Sequence, residues 1–380
     1  MVKRYDPNRI PDLNPPENRE ILIRYVRHNE LNRVSPNTIT NKIARLAPFL
    51  KWAGIVADKI PASTIEDYFL DRMGRLSQAT INGDVIEWRV FYNWLIGADA
   101  AKELLKNIQK SRKVRELPVE QILTRSDIQE LINHAEKMRD KALVGLLWDS
   151  GARITEILDI NIGNVTFDRF GATVIVRGKT GRRQLRLVSS VPDLMELIEQ
   201  HPYKTNHQNP LFVTSRAYSG GGARRLAGRT VNALLDRLGK QAGIQKPCNP
   251  HAIRHARLTD LAREGLSEME LRIVAGWAKS SNMPEVYLHL SGADVERKIL
   301  KSAGIVTEEE ERREVAMNPV KCPRCREMNS PGSMFCRKCS MALTASSMTE
   351  IDDAQRRIQE ELVRTPDLAE QLIALLKKNK

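Results

Sequence analysis

Residues 249–259 read NPHAIRHARLT, and the rest of the chain can be ordered around them. Asn249 followed by Pro250 is a helix start, a capping side chain and then a proline at the first helical position. His251 and Arg254, three apart, then share one helix face. Downstream, Gly276-Trp277 precedes a second proline-marked helix start, Asn282-Met283-Pro284, followed by Tyr287. Upstream, GARITE (151–156) puts Arg153 where a turn enters a helix. Between them, ATVIVRGKTGRRQLRLV (172–188) is two strand-like runs around Gly178-Lys179-Thr180-Gly181, a hairpin with Lys179 at its tip.

Outside that hairpin the periodicity is helical, so the expected fold is mostly α with a small antiparallel β-sheet. The first 17 or so residues, rich in proline and asparagine, read as a loose arm. Residues 18–110 read as a bundle of about four helices, one opened by Ser35-Pro36 and another by Ser77. The basic stretch 102–115 reads as a linker. A second domain spans 119–305, a cysteine cluster 319–345 and an amphipathic tail 346–380, broken at Thr365-Pro366.

The chain of 380 residues carries 60 Lys and Arg against 47 Asp and Glu, a net charge of +13 that favours a polyanionic partner. An anionic membrane fits poorly. The densest apolar run, 142–148, is far shorter than a bilayer span. No secretory signal pattern follows the N-terminus, and four of five cysteines cluster at metal spacing, so a reducing cytoplasm is expected.

In order along the chain, GARITE, RGKTG, HAIRHARLT and GWAKSSNMPEVYLHL resemble the tyrosine recombinase (phage integrase) family over about residues 18–305. The resemblance implies a helical core-binding domain followed by an α+β catalytic domain that cleaves and rejoins duplex DNA. By resemblance, Arg153 and Arg254 clamp the scissile phosphate, Lys179 is the hairpin lysine and His251 the histidine of the H-x-x-R pair. Tyr287 is the nucleophile. Trp277 stands where many members have histidine, and its indole can donate a hydrogen bond but cannot shuttle a proton. Glu156 resembles the acidic residue that supports the first arginine.

The residue types suit the chemistry. Attack on a phosphodiester builds negative charge on non-bridging oxygens, which planar, permanently charged guanidiniums meet with paired donors. A tyrosine hydroxyl, with an ordinary pKa of about 10, needs a base or cationic field at neutral pH. His251 is the candidate base, and a hairpin lysine can protonate the leaving 5′ oxygen. No cofactor is required for that exchange. A topoisomerase of the same chemistry and a non-cutting DNA-binding protein on the same fold are the rival readings.

Cys322-Pro-Arg-Cys325 and Cys336-Arg-Lys-Cys339, ten residues apart, form two C-x2-C knuckles, the ligand set of a closed structural zinc site. The segment resembles ribbons appended to archaeal integrase-like proteins. Arg177, Arg182 and Arg183 around the hairpin, and Arg224 and Arg225 in a glycine-rich loop, are expected to contact DNA phosphates. Recombining two duplexes implies a homo-tetramer on paired sites, from monomers or dimers in solution.

Overall fold

Short-range signals set the first helices. The computed structural model describes residues 4–111, 121–178, 181–281, 283–284, 299–300, 303–304 and 317–364. Helix α1 is Glu17–Leu31 and α2 is Pro36–Ala53. The Ser35 hydroxyl accepts from Thr38 N at 3.2 Å, and Gly54, at φ 62°, closes the other end of α2. Helices α3 (Ala62–Met73), α4 (Gln78–Ile96) and α5 (Ala98–Leu104) follow, α4 capped by Ser77. Their apolar faces meet on Trp88, whose ring lies 4.5 Å from Phe49 and 4.7 Å from Phe69.

Two expectations change here. The N-terminal residues are not a loose arm: Tyr5, Ile10 and Leu13 are buried in the helical core, and Pro7–Arg9 forms a 3₁₀ turn. The basic stretch is not simply a linker. Leu105 and Ile108 pack into the same core, although Lys and Arg dominate the composition of the stretch. Residues 112–115 lie outside the described residues.

The chain divides into two compact units, Met1–Arg115 and Glu116–Lys380. In the second, α7 (Met138–Ser150) is buried almost all round and packs against α6 (Arg125–Asn133), α9 (Val191–Glu199) and α11 (Pro250–Glu264). The short α8 (Ile154–Leu158) leads into an antiparallel sheet of β1 (Val165–Asp168), β2 (Gly171–Gly178) and β3 (Gly181–Leu187), in that order. Ala172, Val174 and Val176 of β2 face the core with Leu185 and Leu187 of β3. Helices α10 (Gly228–Gln241) and α12 (Glu268–Ala275) complete this layer.

A minimal ribbon of β4 (Val320–Lys321) and β5 (Met328–Asn329) precedes α13 (Ala345–Arg364). The expected break at Thr365-Pro366 and the acidic run 308–311 lie outside the described residues. Among those described, no helix is long and apolar enough to cross a membrane.

Candidate active site

Helix α11 starts as its sequence dictates: Asn249 Oδ1 accepts from Ala252 N at 2.9 Å, with Pro250 in the first turn. His251, one residue on, is exposed, whereas Arg254, a turn deeper, is 4% exposed. The Arg254 guanidinium donates to Gly151 O and Ala275 O, each at 2.8 Å, and its carbon lies 5.9 Å from the Trp277 ring centre. These carbonyls end α7 and α12, where the helix dipole is negative and favours a cation.

Arg153 reaches the same place from the start of α8. Its Nη1 lies 3.4 Å from both Ala275 O and Gly276 O. Glu156, 2% exposed, steers it by accepting from Arg153 N at 2.9 Å and from Nη1 at 3.0 Å. Burial works to raise the Glu156 carboxyl, but the hydrogen bonds and charges of Arg183 and Arg153 outweigh it and hold it below the ordinary value.

The structure thus brings Arg153, Arg254, Glu156 and Trp277 together at the end of α12. His251 stands exposed on α11. Lys179 and Tyr287 lie outside the described residues. The sequence reading missed the acceptors, the backbone carbonyls of residues 275 and 276, because every residue carries one. His255, which follows His251 at i,i+4 and could be read from sequence as half of a metal pair, is buried next to Arg254 in the chain with Thr259 Oγ1 3.5 Å from its Nδ1. Burial, and next the neighbouring His251, push its pKa down.

Of the arginines expected at DNA, Arg177 and Arg182 are exposed and directly opposed across β2 and β3, and Arg224 is exposed in its loop. Like charges facing each other on a sheet are costly unless an anion lies over them. Arg183 and Arg225 depart from the expectation, because both are spent on the protein itself. Arg183, its side chain 12% exposed, pairs with Glu156. Arg225 donates to Asn161 Oδ1 at 2.7 Å and to the carbonyls of Leu158 and Ile160, tying its loop to the end of α8.

The four clustered cysteines converge. Their sulfurs all lie within 4.8 Å of one another, with Cys322–Cys339 at 3.6 Å and Cys325–Cys336 at 3.5 Å. A tetrahedral metal at about 2.3 Å from each sulfur gives edges of about 3.8 Å, so the set fits one ion. The two knuckles repeat each other. Arg326 N bonds Cys322 O and Ser340 N bonds Cys336 O, and both donors sit at left-handed φ. The ribbon is docked: Arg337, between two of the cysteines, donates to Pro192 O at 3.0 Å, and Ser330 Oγ to Asp193 Oδ1 at 2.5 Å. The fifth cysteine, Cys248, stands apart, half-buried against Gly239.

Residues 121–293 match the phage integrase family. Tyrosine recombinase XerA of Pyrococcus horikoshii is 28% identical over 214 residues, 56% of this chain and 70% of that protein. XerA of Thermococcus kodakarensis is 26% identical over 75% of this chain and 98% of its own. Among solved structures, the Tn1549 transposon integrase in complex with transposon right end DNA superposes with a TM-score of 0.56 at 18% identity, covering 75% of this chain and 98% of that one. A lambda integrase dimer bound to a COC′ core site gives 0.55 at 15% identity, covering 71% and 76%. The family match falls within the second unit, and the fold is shared with these solved integrases.

Proposed function

We propose that the chain is a site-specific DNA recombinase of the tyrosine class, breaking and rejoining duplex DNA through a 3′-phosphotyrosine. One observation carries it: Arg153 and Arg254 converge on the Ala275 carbonyl beside Trp277, in an integrase-family domain.

In this reading the two guanidiniums hold the non-bridging oxygens of the scissile phosphate, donors that count most as charge builds there. Trp277 adds one N–H. The Tyr287 oxygen attacks phosphorus and its proton passes to His251. The P–O5′ bond breaks, and the departing oxygen takes a proton from Lys179. The phosphotyrosyl bond keeps the energy of the broken linkage, so a 5′ hydroxyl can reverse the attack without ATP.

Residues 18–110 serve as the core-binding domain and 119–305 as the catalytic domain, with Arg177, Arg182 and Arg224 on DNA phosphates. The knuckles at 319–345 hold one structural zinc, and the tail is 346–380. Two duplexes require four active sites, hence a homo-tetramer on DNA. The site of action is the cytoplasm.

Strand exchange between two duplexes bearing a mapped cleavage site tests this. Joint products are expected. Relaxation of one supercoiled plasmid with no exchange would assign the chain to topoisomerases instead.

A further inference from the structure

Arg182 and Arg183 are neighbours on β3 and point to opposite faces of the sheet. Arg182 looks outward. The Arg183 guanidinium is engaged at all three nitrogens: Nη1 and Nη2 on the two Glu156 oxygens at 3.0 and 2.8 Å, and Nε on Val274 O at 3.1 Å. One side chain thus joins β3 to the start of α8 and the end of α12.

Two glycines show how tightly this pair is wedged. A Cβ at Gly178, the last residue of β2, would lie 2.3 Å from Glu156 Oε1. A Cβ at Gly276 would lie 2.5 Å from Arg183 Nη1, and its φ of 61° already disfavours a side chain. Gly178 precedes Lys179 in the chain, and Gly276 precedes Trp277.

We propose that Arg183 is a positioning residue: by pairing with Glu156 and the Val274 carbonyl it fixes the root of the hairpin that carries Lys179 relative to Arg153 and α12. The proposal rests on Lys179 being the proton donor. A forked, buried carboxylate pair sets direction as well as distance, which a lysine cannot copy. Proton transfer tolerates little misplacement, since a shift of about 1 Å can cost on the order of a hundredfold in rate.

The test uses the full-length protein and a duplex at which wild-type covalent attachment has been mapped. The duplex is synthesised with oxygen or with sulfur at the 5′ bridging position, because a thiolate leaves without a proton. Arg183→Gln should slow attachment to the oxygen duplex about ten- to a hundredfold at saturating protein, yet stay within about threefold of wild type on the sulfur duplex. Arg183→Lys should keep most of the defect. Arg183→Leu, which removes the same hydrogen bonds and leaves no polar group unpaired at position 183, should give the same sulfur-rescued defect and serves if Arg183→Gln does not fold. Equal losses on both duplexes, weaker DNA binding with an unchanged saturated rate, or no effect would each overturn the proposal. If the wild type never attaches to DNA, the recombinase reading itself falls. If Lys179→Ala is rescued by sulfur and Arg183→Gln is not, only the present proposal falls.

Discussion

Arg153 and Arg254 donate to one acceptor, the Ala275 carbonyl, at 3.4 and 2.8 Å. Two guanidiniums so placed repel each other, and the backbone carbonyls that end α12 offset that repulsion. Glu156 adds a full negative charge on the Arg153 side. The cationic pair is therefore assembled before any phosphate arrives, so little reorganisation is left for the moment of reaction.

Tyr287→Phe should leave DNA affinity within about twofold and abolish the covalent adduct, since only the attacking oxygen is lost. A nicked suicide duplex resolved on a denaturing gel measures this. An adduct with the variant would mean that Tyr287 is not the nucleophile.

Lys179→Ala should slow cleavage of an ordinary phosphodiester by roughly a hundredfold to ten-thousandfold, as loss of general acid catalysis does. The sulfur-bridged duplex should restore most of that rate. Arg153→Ala should stay slow on both duplexes, because its work is on the non-bridging oxygens. Equal defects of Lys179→Ala on both would leave the lysine as a phosphate contact only.

The protein should carry one zinc per chain, measured by elemental analysis after purification without chelator. Chelation should unfold the ribbon yet spare cleavage at 25 °C, because the arginines and Trp277 lie well before Cys322. It should still lower the melting temperature of the second unit. Arg337 and Ser330 hold the ribbon on Pro192 and Asp193, and each kcal/mol lost there is worth about 2–4 °C in a unit of this size. An unchanged melting temperature would count against docking, and lost cleavage after removal of 319–345 against independence.

Glu156→Ala should destabilise the second unit by about 3–5 kcal/mol, because Arg183 would keep a largely buried charge without its partner. Urea unfolding measures this, and a loss under 1 kcal/mol would show that Arg183 finds water or another acceptor.

Acid should weaken the second unit in two steps. Burial lowers the pKa of His201, and burial followed by His251 lowers that of His255. Between the ordinary histidine value of about 6.5 and these lower values the unfolded chain binds more protons, so stability falls as pH drops through that window. Glu156, also lowered, contributes stability that is present above its ordinary value and goes at still lower pH. His255→Asn should flatten the first step in melting temperature recorded from pH 7 to 5. An unaltered slope would assign that step to His201.

Much of the molecule is local, and local features are legible in sequence. Ser35, Ser77 and Asn249 cap their helices through side-chain and backbone groups a few residues apart, so the sequence alone locates those starts. The cysteine knuckles, closing over two intervening residues, and the β2–β3 hairpin belong to the same class. What sequence cannot rank is which of two similar side chains meets the interior. Arg182 and Arg183 differ only in which sheet face packs on α8 and α12, and Arg224 and Arg225 only in which reaches Asn161. Tyr5, Ile10, Leu105 and Ile108 sit in stretches whose prolines and lysines dominate composition, yet apolar surface is buried wherever a neighbouring face is open to take it. Ala275 and Gly276 accept the arginines through backbone oxygens that every residue possesses, so folding alone selects them, by ending α12 between two guanidiniums.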